Sequence, residues 1–226
     1  MFAGRARRLL VSDYDYDVRQ IESKETHDYL LNIHYAKRLP QIMYAYGLFR
    51  DDELVGVITY GRPPAPSVSK GVLGTEHKQY VLELNRLCLK DNLKNEASQL
   101  VAGSFKLLPQ PTAVISYADT SQDHLGVVYQ ATNFLYTGLS SKHTDWAVKG
   151  MEGTHTRTFN HIADAIPGDK PNLEKIKELY GDRFYYIDRP RKHRYIMLIG
   201  NKTQRKELRA LLKYPVLPYP KRNQDD

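Results

Sequence analysis

A single cysteine, Cys88, stands in 226 residues. That excludes an internal disulfide framework and a zinc centre built on several cysteines, and a reducing cytoplasm is the expected compartment. No apolar run approaches the roughly 20 residues that a membrane-spanning helix needs. The start of the chain is basic, but its apolar stretch of Leu9, Leu10 and Val11 is too short for a signal peptide and reads as a flexible arm. No phosphate-binding P-loop appears, no Gly-x-Gly-x-x-Gly, no His-Glu-x-x-His and no Gly-x-Ser-x-Gly. There is no internal repeat. Any chemistry must therefore come from residues that the fold gathers from separate segments.

What is present fits a folded globular protein: 41% hydrophobic and 26% charged residues. The net charge of +7 points to a polyanionic partner. Many of the tyrosines lie beside cations, as in Tyr35-Ala36-Lys37-Arg38 and Lys192-His193-Arg194-Tyr195. Cations can hold phosphates while aromatic faces stack on unpaired bases. Tyrosine is also an ordinary core and strand residue, so this pairing alone does not decide the matter.

Hydrophobic periodicity predicts a helix over 25–36, with Tyr29, Leu30 and Ile33 on one face and Pro40 beyond it. Segments 43–49 and 54–60 read as a hairpin with a polar tip, and 61–74, with Pro63, Pro64 and Pro66, as a loop. Segment 80–89 is a strand that carries Glu83, Asn85 and Arg86 among leucines. It is either an edge strand with one wet side or the wall of a polar cleft. A helix over 95–108 follows, with Asn92 or Asn95 as its cap. Then come a buried strand over 112–117 ending in Ala118-Asp119, a helix over 124–131 capped by Ser121 or Asp123, and a strand at 134–137. Periodicity fades over 142–170, which reads as an insertion. Segments 184–187 and 193–199 are expected to pair with each other, before a last helix over 203–212. The whole is an α/β (α+β) protein with a mixed sheet and helices on its faces. It divides into a basic arm at 1–22, one domain over 23–214 and a Pro-rich tail at 215–226. In such a layout a donor group sits where neighbouring strands splay, beside a helix N-terminus.

Four groups of residues could carry chemistry. His34 and Tyr35 end the first helix and are possible metal ligands, or a hydrogen-bonded helix end. Asp119 closes Ser116-Tyr117-Ala118-Asp119 at the carboxyl end of a buried strand, as a base, a ligand or a helix cap. Tyr129 can donate a proton to a leaving group, or simply anchor the core through its hydroxyl. Arg189, Arg191, Lys192, His193 and Arg194, with Arg205, Lys206 and Arg209, form either a phosphate-binding patch or a solvated charged face.

Several stretches together resemble the Mom family of phage DNA-modification proteins: Leu82-Glu83-Leu84-Asn85-Arg86-Leu87, Ser116-Tyr117-Ala118-Asp119, GVVYQATNFLYTG from Gly126 to Gly138, Lys192-His193-Arg194-Tyr195, and YPVLPYPK from Tyr214 to Lys221. The resemblance covers about 31–221. It implies a divergent GNAT-like acyltransferase fold, with a mixed, mostly antiparallel central sheet flanked by helices. It also implies a transferase that converts adenine in double-stranded DNA to N6-carbamoylmethyladenine, protecting phage DNA from restriction in the host bacterial cytoplasm. The family is associated with acetyl-CoA and iron. By position, His34, Tyr35 and Asp119 become the iron candidates. Asp119, Tyr129, Ser116, Asn85 and Arg86 become the catalytic ones, and Lys90, Asn92, Lys94 and Asn95 flank the expected cofactor site. Arg189, Arg191, Lys192 and Arg194 become the nucleic-acid contacts. One departure bears on the cofactor. The glycine-rich phosphate loop of GNAT enzymes is replaced here by Lys90-Asp91-Asn92-Leu93-Lys94-Asn95-Glu96-Ala97, which has no glycine.

The implied product raises a problem of atom balance. Acetyl transfer would give N6–CO–CH3, whereas N6–CH2–CO–NH2 contains a further nitrogen. A glycyl group has the right composition, so an activated glycine such as glycyl-tRNA is the alternative donor to acetyl-CoA. N6 takes part in base pairing, so base flipping is expected. Tyr44, Tyr46, Tyr60 and Trp146 would then be stacking partners, and the 142–170 insertion would hold the duplex. Two competing expectations stand beside this one: a conventional GNAT enzyme acylating a protein, small amine or tRNA, and a nucleic-acid-binding module without activity.

Overall fold

The computed structural model describes residues 15–120, 124–152, 154 and 156–221. Among the described residues nine strands form two sheets, and the larger has the order β1-β2-β3-β4-β5-β9-β6. β1 (Tyr16–Gln20), β2 (Tyr44–Arg50), β3 (Glu53–Gly61) and β4 (Val81–Leu89) form an antiparallel meander. β5 (Thr112–Asp119) then lies parallel to β4, and β9 (Lys192–Ile199) is antiparallel to both β5 and β6 (Leu135–Leu139). The sheet is thus mixed and mostly antiparallel, as expected.

The single parallel step is also the weak seam. β4 and β5 pair only at Val81↔Ala113, Leu82↔Val114 and Glu83↔Ile115, although both strands run on for several residues. Beyond Glu83 they diverge. Segment 80–89 is therefore no edge strand: it lies in mid-sheet, and its polar residues border a gap. A bulge sharpens the effect. Thr59 faces Arg86 and Tyr60 faces Leu84, which leaves Asn85 unpaired. One extra residue resets the alternation of side chains. Leu82, Leu84 and Leu87 pack on one side, Val81 on the other, and Glu83 and Arg86 come to share that other side.

Two layers cover the sheet. α2 (Glu96–Phe105) and α3 (Val127–Ala131) pack on one face, over Leu82, Leu84, Leu100, Val101, Val114, Phe134 and Tyr195. α1 (Pro66–Leu73) and α6 (Lys202–Leu211) pack on the other, through Val72, Leu73, Val81, Ile115, Ile196 and Leu208. At roughly 25 cal/mol per Å² of apolar surface removed from water, these two cores supply most of the drive to fold.

Several sequence expectations are corrected. The first helix is a 3-10 turn at Ser23–Thr26 followed by a π turn at Tyr29–Ile33, so it stops before His34. The 61–74 loop contains α1, because Pro66 occupies the first helical position, where a missing N–H costs nothing. The basic arm is shorter than 1–22, since Tyr16–Gln20 is a sheet strand. Segment 184–187 does not pair with 193–199. β8 (Phe184–Asp188) pairs instead with β7 (Thr144–Val148), and with α4 (Thr156–Asp164) and α5 (Asn172–Tyr180) they form a small unit. Its core holds Val148, Phe159, Ala163 and Ile176, with Trp146 and Phe184 packed against it. The insertion therefore runs from about 144 to 188 and has its own apolar centre. The tail packs on the main sheet, where Leu217 N–H donates to the Tyr136 carbonyl (2.9 Å) and the Tyr219 hydroxyl to that of Phe134 (2.7 Å). The caps Ser121 and Asp123 and most of the arm lie outside the described residues.

Candidate active site

The gap between β4 and β5 opens into a cleft of about 640 Å³, within the usual range for a small-molecule site. β4 supplies Glu83, Asn85 and Arg86, β5 supplies Tyr117 and Asp119, and α3 supplies Tyr129. His34, Tyr35, Asn92, His124 and Lys192 complete the polar wall. A second depression, of about 420 Å³, lies by Lys106 and Arg205, and its lining has no carboxylate, imidazole or phenol. The titratable chemistry is concentrated in the β4–β5 gap.

Each group is held by its element. Tyr129 sits on a helix entered through Gly126, whose φ of 70° is left-handed. A Cβ at Gly126 would lie 2.5 Å from the Tyr195 ring, so glycine is required there. Tyr129 packs between Tyr195 (5.3 Å between centroids) and Phe134 (5.1 Å). Burial raises its hydroxyl pKa, and a hydrogen bond with Ser116 offsets part of the rise. The Ser116 hydroxyl in turn donates to the Leu84 carbonyl (3.2 Å). Asp119 pairs with Lys192 at 3.0 Å across β5 and β9, where the two residues are also register partners. Asn85, freed by the bulge, accepts from the Thr59 hydroxyl (2.6 Å) and donates to the Gln41 carbonyl (3.0 Å).

Glu83 carries no catalytic expectation from the sequence, although an acid amid the alternating leucines of β4 is the available signal. Burial pushes its carboxyl up to about 7, against the pull of Arg86 and Lys192. Its Oε2 is buried without a hydrogen-bond partner, as is Arg86 Nε. Arg86 is itself shifted down by burial, and Arg38 adds to the shift. Burial and the nearby Arg86 cation push the His34 imidazole down to about 4, so it is neutral at pH 7.

The expected metal set does not fit iron. His34 Nδ1 accepts the Ala36 N–H (3.0 Å), its ring stacks on Tyr35 (4.4 Å), and Tyr35 is 68% exposed. Asp119 already carries Lys192, and Arg86 lies beside His34. Among the described residues no three His, Cys, Asp or Glu side chains form a metal-holding group.

Nor does segment 90–96 form a pyrophosphate cradle. Lys90 is paired with Glu53. Asn92 and Asn95 take left-handed conformations with φ of 50° and 70°, and Asn95, although at the cap position, makes no side-chain cap. The N-terminal end of α2 instead receives its own carboxylate. Glu96 is fully buried and accepts from Leu93 N–H (2.8 Å), the Tyr16 hydroxyl (3.0 Å) and Arg50 (3.1 Å). An acid fixed at the positive end of the helix repels a phosphate there. Of the four expected cofactor residues, only Asn92 reaches the cleft.

The expected nucleic-acid contacts are largely committed to the fold. Arg194 is buried: it donates to the Thr137 hydroxyl and carbonyl and lies 3.4 Å over the Tyr214 ring. Arg189 is paired with Asp145, and Arg191 donates to the Ser140 carbonyl. Of the expected stacking aromatics, Tyr46 and Tyr60 are core residues and Trp146 packs on Phe159. The rest of the expected basic patch, Arg205, Lys206 and Arg209, is exposed on α6, beside Lys202 and with Lys213 just beyond it. They recur at helical spacing, and none makes an ion pair among the described residues.

The sheet is mixed and splits between β4 and β5, and a polar cleft runs through the split. The chain belongs to the Mom protein family, whose description it matches over residues 15–221. It is 32% identical over 198 residues to the methylcarbamoylase mom of Escherichia phage Mu, covering 83% of this chain and 76% of that protein. Solved structures similar to it include an N-acetyltransferase from Staphylococcus aureus Mu50 (15% identity, TM-score 0.43, 82% of this chain and 99% of that one). Another is a Bacillus subtilis acetyltransferase in complex with CoA (14% identity, TM-score 0.40, 83% and 99%). The strand order itself defines the fold.

Proposed function

We propose that this chain is a DNA base-modifying transferase that converts N6 of adenine in duplex DNA to the carbamoylmethyl derivative, a change that protects phage DNA from restriction. The observation that carries this reading is the cleft in which Asp119, Tyr129, Glu83 and Arg86 meet, in a chain similar to a protein named methylcarbamoylase. The exposed cations of α6 lie on the same sheet face as Val81, the face that Glu83 and Arg86 share. They track the phosphates while the target base swings out of the stack into the cleft.

The donor is an activated glycine, carried as an ester such as glycyl-tRNA. N6 attacks the glycyl carbonyl, an N–C bond forms and the ester C–O bond breaks. The proton lost by N6 passes to Asp119, and the Tyr129 hydroxyl protonates the departing alkoxide. The free glycyl amine then attacks C6 through a five-membered ring. The original C6–N bond breaks, and that nitrogen becomes the terminal amide of N6–CH2–CO–NH2. No atom is missing, whereas acetyl-CoA lacks the nitrogen. The acid at the start of α2 supports the same choice. Incubation with duplex DNA and glycyl-tRNA labelled in the glycyl carbons and nitrogen should place all the label in the modified adenine. Label arriving only from acetyl-CoA would reject this donor.

A further inference from the structure

Among the described residues, the buried side-chain atoms without a hydrogen-bond partner are Glu83 Oε2 and Arg86 Nε. Buried polar atoms are nearly always satisfied, and exceptions cluster at functional sites. These two line one cleft and share one side of β4 because of the bulge at Asn85. No ion pair joins them, and Arg86 commits Nη1 to the Asn85 carbonyl (2.6 Å), which fixes the guanidinium. Asn85 is fixed in turn from both sides, by Thr59 and Gln41. The cleft thus presents one preset acceptor and one preset donor.

That polarity is the complement of an amidine edge, in which an N–H donor stands next to a ring nitrogen acceptor. Adenine shows this edge once it leaves the duplex: N6–H donates and N1 accepts. Thymine has no exocyclic amine, and guanine presents O6 and N1–H, the reverse order; cytosine shares the edge through N4–H and N3, so the pair separates amino bases from thymine and guanine, and the size of the purine separates adenine from cytosine. We propose that Glu83 and Arg86 read the Watson–Crick edge of the extruded adenine, with Glu83 Oε2 accepting one N6–H and Arg86 Nε–H donating to N1. The inference rests on the adenine-modification reading and deepens it. Holding one N6–H on Glu83 leaves the second N–H for Asp119 and fixes the direction from which N6 meets the acyl carbon. Ionised Glu83 accepts the N6–H more strongly than the protonated acid does, so binding of the base strengthens as pH rises through about 7.

The test is a cycle of enzyme and base variants. Wild type and Arg86→Met act on duplexes whose target is adenine or 1-deazaadenine, in which N1 is a C–H. A good base contact discriminates by about 1–3 kcal/mol, or roughly 5- to 150-fold. Wild type should lose kcat/KM by that factor on 1-deazaadenine. Arg86→Met should lose a similar factor on adenine and then treat both bases alike, within about twofold. Arg86→Lys, which keeps the charge but lacks Nε, should level the two bases in the same way and covers a folding failure of the methionine variant. Glu83→Gln should abolish the rise of kcat/KM through neutral pH. Losses that multiply independently, or a wild type indifferent to N1, would overturn the inference while leaving adenine modification intact. A wild type that modifies no duplex would overturn both.

Discussion

Replacing Glu96 by alanine removes a fully buried carboxylate that ties three elements together. It accepts from Tyr16 on β1, Arg50 on β2 and the Leu93 amide in the β4–α2 loop, at 3.0, 3.1 and 2.8 Å. Hydrogen bonds to a charged group contribute about 1.5–3 kcal/mol each, and breaking a buried pair costs about 3–5 kcal/mol in all. Arg50 keeps Asp91 at 2.7 Å, so its charge is not left alone. The lower end, about 3 kcal/mol, follows; it is a large share of a total stability of about 5–15 kcal/mol. In a domain of this size it lowers Tm by about 6–12 °C. Urea unfolding followed by ellipticity measures the change, and Glu96→Gln should cost clearly less because its amide oxygen still accepts. A loss below about 1 kcal/mol for Glu96→Ala would put this carboxylate among surface ion pairs. That result would refute the view that the start of α2 is filled by its own acid rather than shaped for a phosphate.

Tyr129→Phe should cut single-turnover base modification by about 100-fold or more, as expected when a proton donor is removed, and Asp119→Ala should abolish it; unchanged rates in folded variants would remove them from the chemistry. Charge reversal at Arg205, Lys206 and Arg209 should lower the slope of log K against log salt for DNA binding by about 0.9 for each phosphate no longer neutralised. Arg194→Met should instead lower Tm and leave that slope alone, because its guanidinium is held by Thr137 and Tyr214. Two groups set opposite pH trends in stability. Glu83, raised to about 7 from an unfolded 4.5, binds its proton more tightly when folded, so its contribution is full below about 4.5 and is lost as pH rises through 7. His34, lowered to about 4 from 6.5, contributes above 6.5 and loses that contribution as pH falls through 4. Glu83→Gln should flatten the first trend and His34→Gln the second in unfolding free energies measured across this range; persistence of either trend in its variant would refute that assignment.

Much of the sheet is legible in the sequence because its strands announce themselves locally. The β2–β3 hairpin has a polar tip between an aromatic-rich run and a β-branched one, and β5 is a short buried run that ends in an acid. What is long-range is not legible. Segment 184–187 alternates like a sheet partner of the strand that follows it, yet Trp146 and Phe184 pack together and pull β8 to β7. Local patterning cannot show which distant strand completes a core. Prolines hide α1, because a proline that breaks a helix interior is tolerated at its first turn. Asp119 and Tyr129 stand out together because each closes a recognisable segment beside the splayed strands. Glu83 stands out in the sequence as an acid among leucines, but its pairing on one side with Arg86 comes from the bulge at Asn85, a register feature with no mark in the sequence. Arg194 misleads for the same reason: a run of cations says nothing about which of them turn inward.

The most direct test is mass spectrometry of nucleosides from the DNA of cells expressing the chain, alongside cells expressing Asp119→Ala. Deoxyadenosine carrying one carbamoylmethyl unit should appear in the first DNA and be absent from the second. Unmodified adenine in both, from cells holding folded protein, would contradict a role in DNA modification.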